Sequence, residues 1–170
     1  MITYMEESKL SSIFEDKSLL AQVSGGEPAP LNIQILMDAD GFVAIVKGDD
    51  TNHRGALDIV NRLEKRGVLF LITPFTIPES ATVLSYKVSH EVAREFLREV
   101  RTLELEEFGI LEFNEQIKQR ADEVFVREQK KGTSYFDCVN IACMEHYHLD
   151  AIFSFDKVYH THNLRYADEL

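Results

Sequence analysis

The chain has 170 residues, enough for one domain and short for two, with 45% hydrophobic and 28% charged residues, the balance of an ordinary globular protein. Lys and Arg total 18 against 29 Asp and Glu, a formal net charge of -11, which argues against a protein that grips nucleic acid by bulk positive charge. It permits an acidic metal site, because hard cations want clustered oxygen ligands. No stretch approaches the ~20 apolar residues of a membrane helix, and the N-terminus lacks the basic flank and apolar run of a signal peptide. No membrane association and a cytoplasmic address are the expectations.

Residues 1–30 read as an N-terminal extension and linker. Leu10, Ile13, Phe14 and Leu20 share one face of a short helix, and Ser24-Gly25-Gly26-Glu27-Pro28-Ala29-Pro30 is a linker by composition. The extension is either a tail or an arm docked on the main domain or on a neighbouring protomer. From residue 31 to 170 the chain alternates. Ile33 to Met37 is a short apolar run closed by Asp38, a buried strand. Residues 52–66 form a helix with apolar Ala56, Leu57, Ile59, Val60 and Leu63, ending at Gly67. Val68 to Ile72 is a second strand, and helices follow over 75–88 and 90–101. Gly109 to Phe113 is a weaker third strand. Asn114 opens a helix to about Lys131, Thr133 or Ser134 caps another to about Tyr147, and Ala151 to Phe153 is the last strand. Strands separated by helices predict an α/β fold, three layers with a central parallel sheet. In such folds the working groups gather at the carboxyl ends of the strands.

Four acids fall at those ends. Asp38 terminates the first strand and Asp156 follows the last. Glu79 lies at the start of the helix after the second strand, within the proline-punctuated Thr73-Pro74-Phe75-Thr76-Ile77-Pro78. Asp137 is in the first turn of its helix among Tyr135, Phe136, Cys138 and Val139. A carboxylate near apolar groups is costly unless it is neutralised, hydrogen-bonded or bound to metal. Each acid also has a plain structural role open to it: Asp38 or Asp156 as a turn cap, Asp137 as a favourable charge at a helix N-terminus.

From about residue 31 to about 160 the sequence resembles a PIN domain, most of all the toxin ribonucleases of toxin–antitoxin pairs. The matching pieces are Ile35-Leu36-Met37-Asp38-Ala39-Asp40, Ile77-Pro78-Glu79-Ser80, Tyr135-Phe136-Asp137-Cys138-Val139-Asn140-Ile141-Ala142 and Ile152-Phe153-Ser154-Phe155-Asp156. Ser154 replaces the usual threonine, and Lys157-Val158-Tyr159-His160 lacks the Asp-Phe pair of many relatives. The resemblance implies a metal-dependent endoribonuclease whose catalytic and metal-holding acids are Asp38, Glu79, Asp137 and Asp156. The implied cofactor is Mg²⁺ or Mn²⁺, which suits oxygen ligands and retained waters. Direct ligation is assigned to Asp38, Asp137 and Asp156, and Glu79 acts through water or on a second ion. Asp40 and Ser154 orient the ligands. It further implies RNA as substrate, an antitoxin protein as partner and a homo-oligomer, a dimer. Crowding of like charges predicts that Asp38→Asn leaves the metal-free fold as stable as before, or more so.

Arg127, Lys130, Lys131, Lys47 and Lys157 are the candidate phosphate contacts. The histidine pairs His146/His148 and His160/His162 have spacing for zinc but no cysteine at finger distance. Cys138 and Cys143, ~140° apart on a helix, read as reduced, packed thiols. Two alternatives stand beside the nuclease: a silent PIN scaffold that binds RNA or protein, and a haloacid-dehalogenase-like phosphatase built on Asp38-Ala39-Asp40-Gly41. The second leaves Glu79 and Asp137 without work.

Overall fold

The computed structural model describes residues 33–104 and 108–170, so the proposed helix and linker of residues 1–30 lie outside it. Four short strands form one parallel sheet: β1 (Gln34–Met37), β2 (Leu69–Ile72), β3 (Phe108–Ile110) and β4 (Ala151–Phe153), in the order β3-β2-β1-β4. Six helices are described: α1 (Ala39–Val46), α2 (His53–Glu64), α3 (Thr76–Lys87), α4 (His90–Glu104), α5 (Glu115–Arg127) and α6 (Tyr135–Tyr147). Tyr159–His162 and Ala167–Glu169 are 3₁₀ turns.

The strands are apolar throughout because both faces of the sheet are covered. Successive side chains point to opposite faces. Ile35, Met37, Phe70, Ile72, Ala151 and Phe153 pack with α1 to α4, around Phe42, Leu63, Leu84 and Phe96. Leu36, Leu71 and Ile152 face the other way, against Ile117, Ala121 and Val124 of α5 and Val139 and Ala142 of α6. The register aligns these three residues, with Leu36 opposite both Leu71 and Ile152. The result is the expected three-layer α/β/α arrangement. Cys138 and Cys143 are free thiols buried in the second core, where loss of solvation pushes them up to about 11 and about 12.

The helices expected over 52–66, 75–88 and 90–101 form as α2, α3 and α4 with small shifts at their ends. The third strand is shorter than read, and α5 stops at Arg127, four residues before Lys131, where Glu128 turns extended and accepts from the amides of Gln129 and Lys130. α1 has no counterpart in the sequence reading. It is eight residues long and apolar nearly all round, so it carries no amphipathic period to announce it. Its tight seat on the sheet depends on Gly41, where a β-carbon would stand 3.0 Å from the Phe153 carbonyl oxygen.

Strand order fixes where a site can form. The chain leaves β1 toward β2 and β3, then returns to the opposite side of β1 as β4. The direction of winding therefore reverses between β1 and β4, and a crevice opens at their carboxyl ends. Asp38 follows β1 and Ser154 follows β4, at the mouth of that crevice.

Candidate active site

Asp38 is buried and accepts four hydrogen bonds. Its Oδ1 accepts from the amide of Ala39 at 2.7 Å and from Asn140 Nδ2 at 2.9 Å. Its Oδ2 accepts from Ser154 Oγ at 2.9 Å and from the Tyr159 hydroxyl at 2.8 Å. The first bond is an N-cap, so Asp38 ends β1 and starts α1 at once. Burial pushes its carboxyl up from the usual range and the four donors pull it down, with burial the stronger effect.

Asp137 lies in a capping box. Ser134 Oγ accepts from the Asp137 amide at 3.1 Å, and Asp137 Oδ2 accepts from the Ser134 amide at 2.7 Å. That leaves Oδ1, which stands 3.4 Å from the Tyr159 hydroxyl. Asp38 and Asp137 thus meet across one phenol. Tyr159 has no exposed surface, its ionisation is pushed well above the usual range by burial, and it accepts from Asn140 Nδ2 at 3.0 Å.

Glu79 reaches the same region through a polar turn. Thr76 Oγ1 accepts from the Thr73 amide at 3.1 Å and sets the start of α3. Ser80, fully buried, donates to the Thr76 carbonyl at 2.7 Å and stands 3.4 Å from the Ala39 carbonyl, tying α3 to the first residue of α1. Glu79 is half-buried, and its carboxyl is raised to about 8, first by lost solvation and then by the charges of Asp38, Asp137 and Asp40. Asp137 is raised by burial and by Asp38 and Asp156. Asp156 is exposed. Its amide donates to Ser154 Oγ at 3.1 Å, its Oδ1 accepts from the Val158 amide at 2.8 Å, and Lys130 Nζ lies 3.4 Å from that oxygen.

Asp40 adds a fifth acid. Its Oδ2 accepts from the Phe155 amide at 2.9 Å, holding the segment after β4, while its Oδ1 is buried without a partner among the described residues. Burial and the Asp38 charge raise it to about 7. An orphaned buried oxygen beside Asp38, Glu79 and Asp137, with Lys130 paired to the outlying Asp156, is a donor set short of positive charge. An oxygen-loving divalent cation with its own waters suits it. Among the described residues, however, no three His, Cys, Asp or Glu side chains are gathered closely enough to bind one ion directly. Asp38 and Asp137 each commit an oxygen to a helix cap.

Two residues of this constellation were not singled out from sequence. Asn140 follows Asp137 by three positions and so shares its helix face, a spacing that was available to find it. Tyr159 gave no such signal, because only the return of the chain beneath β1 carries its hydroxyl to Asp38. The histidines have separate tasks. His148 ends α6 in the left-handed conformation, His160 stacks on Tyr166 at 4.1 Å, and His162 Nε2 is 3.3 Å from Glu128.

Comparison with known proteins follows the same lines. A family model described as PIN domain matches residues 35–162, from β1 through the turn that holds Tyr159. Sequence comparison with curated proteins gives no match. Among solved structures, the chain is similar to VapC20 of Mycobacterium tuberculosis, a sarcin-ricin loop cleaving toxin, with a TM-score of 0.63 and 17% identity over 76% of this chain and 95% of that one. At that identity the likeness concerns the fold. The family match takes in most of the chain, all four expected acids and the strands and helices that carry them, and the chain belongs to the PIN domain family.

Proposed function

We propose that this protein is a divalent-cation-dependent endoribonuclease with Asp38, Glu79, Asp137 and Asp156 as its site acids. The observation that carries this reading is the convergence of Asp38 and Asp137 on the Tyr159 hydroxyl at the β1–β4 crevice. Glu79 is raised to about 8 by burial and then by the charges of these acids and Asp40. Mg²⁺ or Mn²⁺ is the cofactor that the donor set suits, held by the acids largely through water. When bound, such an ion offsets the charge of a phosphodiester and makes water a better nucleophile.

The chain's own groups do the rest. Ser154, Asn140 and Tyr159 fix the Asp38 carboxyl, and the capping box fixes Asp137 with Oδ1 turned to the same phenol. Lys130, beside Asp156, and the exposed Lys131 and Arg127 are the proposed contacts for the RNA phosphates. VapC20 is a toxin, which supports a toxin role here; an antitoxin protein as partner, a cytoplasmic location, a homodimer, and residues 31–170 as the PIN domain behind an N-terminal extension are proposed with it. An upstream reading frame for a small DNA-binding protein would support the pairing, and its absence would favour a stand-alone nuclease.

The deciding experiment uses the full chain, a generic RNA, and Mg²⁺, Mn²⁺ or EDTA. Cleavage is expected with either ion, none with EDTA, and none from Asp38→Asn. This variant keeps the fold because the Ser154 and Tyr159 hydroxyls can reverse from donor to acceptor. Cleavage in EDTA, or an active Asp38→Asn protein, would refute the assignment.

A further inference from the structure

Beside the acids runs a row of aromatic rings. Phe75 is the N-cap residue of α3, and its carbonyl accepts from the Glu79 amide at 2.9 Å. Phe136 is the chain neighbour of Asp137. The two rings lie 5.4 Å apart and 32° from parallel, and Phe113 meets Phe75 edge-on at 4.9 Å. Phe75 and Phe113 are half-buried and anchored on the core beneath α5 and α6. Phe136 ends the row with 37% of its surface exposed. The pair thus joins the N-cap of α3 to the first turn of α6, the two helix starts that carry Glu79 and Asp137.

The outer part of the Phe136 ring, by contrast, keeps its apolar area in water beside a carboxylate. A nucleobase would cover it. Every base has an apolar π-face, and stacking on an aromatic side chain requires a base that is not paired within a duplex. A base seated there would place its sugar and phosphate beside Asp137. We propose that the Phe136–Phe75 pair is a stacking platform for an unpaired nucleobase adjoining the bond to be cut. This inference rests on the ribonuclease reading above and deepens it.

The test compares the full-length parent with Phe136→Ala, Phe136→Tyr and Tyr86→Ala, the last removing a ring that is 87% exposed near the far end of α3. The probes are a short mixed-sequence single-stranded RNA and the same strand annealed to its complement, with Mn²⁺ present. The parent should cut the single strand faster than the duplex. Phe136→Ala should lower kcat/KM on the single strand by about 5- to 150-fold, the range for loss of one stacked base, measured at a temperature at which circular dichroism shows the variant folded. Phe136→Tyr, which still stacks, and Tyr86→Ala should match the parent. The proposal is overturned if Phe136→Ala cuts as the parent does, if Phe136→Tyr is as impaired as Phe136→Ala, or if duplex is cut as fast as single strand. A normal rate with a changed molecular mass in solution would assign the ring to a protein contact instead. A parent that cuts no RNA removes the nuclease reading and this inference together, whereas an active parent with an equally active Phe136→Ala removes only the platform.

Discussion

Asp38 and Tyr159 set the terms at the scale of single residues. A buried carboxylate survives only with donors around it, and Asp38 has four. Two of them, Asn140 and Tyr159, also bond each other, so the three side chains hold one geometry. Tyr159→Phe deletes a hydroxyl that donates to Asp38 and accepts from Asn140. A lost hydrogen bond to a charged group costs about 1.5–3 kcal/mol, and urea unfolding in EDTA should register a loss of that order. Cleavage should suffer in kcat more than in KM, because the acids lose their common anchor while the RNA-contacting surface is untouched. Unchanged stability together with unchanged kcat would show that the phenol holds nothing in place.

Elements carry the acids by their ends. Asp38 caps α1, Asp137 sits in the capping box of α6, and Glu79 lies in the first turn of α3. The plain structural roles open to Asp38 and Asp137 from sequence are thus filled, and they coexist with the candidate chemical ones. A cap fixes a carboxylate by backbone amides; in Asp137 it leaves Oδ1 turned toward the Tyr159 hydroxyl, and in Asp38 it leaves Oδ2 to accept from Ser154 and Tyr159. Ser134→Ala removes the acceptor for the Asp137 amide and should cost about 0.5–2 kcal/mol by urea unfolding. Ser134→Thr, which restores a capping oxygen, should recover most of it. Equal stability of the alanine and parent proteins would mean that the cap contributes nothing to α6.

The whole molecule carries a formal charge of -11, and its acid cluster concentrates part of that on one edge. Glu79 is raised to about 8, Asp40 to about 7, and Asp38 and Asp137 are raised as well. For a carboxyl held above its unfolded value, the folded state binds more protons than the unfolded one. Stability of the metal-free protein from these groups therefore falls as pH rises from about 5 to about 8. A cation takes the place of those protons. Melting in EDTA should be higher at about pH 6 than at about pH 8.5, and added Mg²⁺ should raise the melting temperature more at the higher pH. A metal-free protein more stable at the higher pH, with no response to Mg²⁺, would mean that the acids do not repel one another as placed.

Sequence by itself determined the layers and the position of each acid along its own strand or helix. Apolar runs too short for helices, separated by helical segments, specify a parallel sheet covered on both faces, because nothing else buries such strands twice over. The acids were legible because each interrupts an apolar segment at its carboxyl end or in a first helical turn. The short α1 was not legible, since a helix buried all round has no polar face. Only the tertiary structure decided how the acids meet. The return of the chain to β4 beside β1 brings Ser154 to Asp38 and then turns Tyr159 inward, a contact spanning 121 positions. Local periodicity holds no information about such a pairing. The same packing commits oxygens of Asp38 and Asp137 to helix caps, which the spacing of the acids along the chain does not reveal.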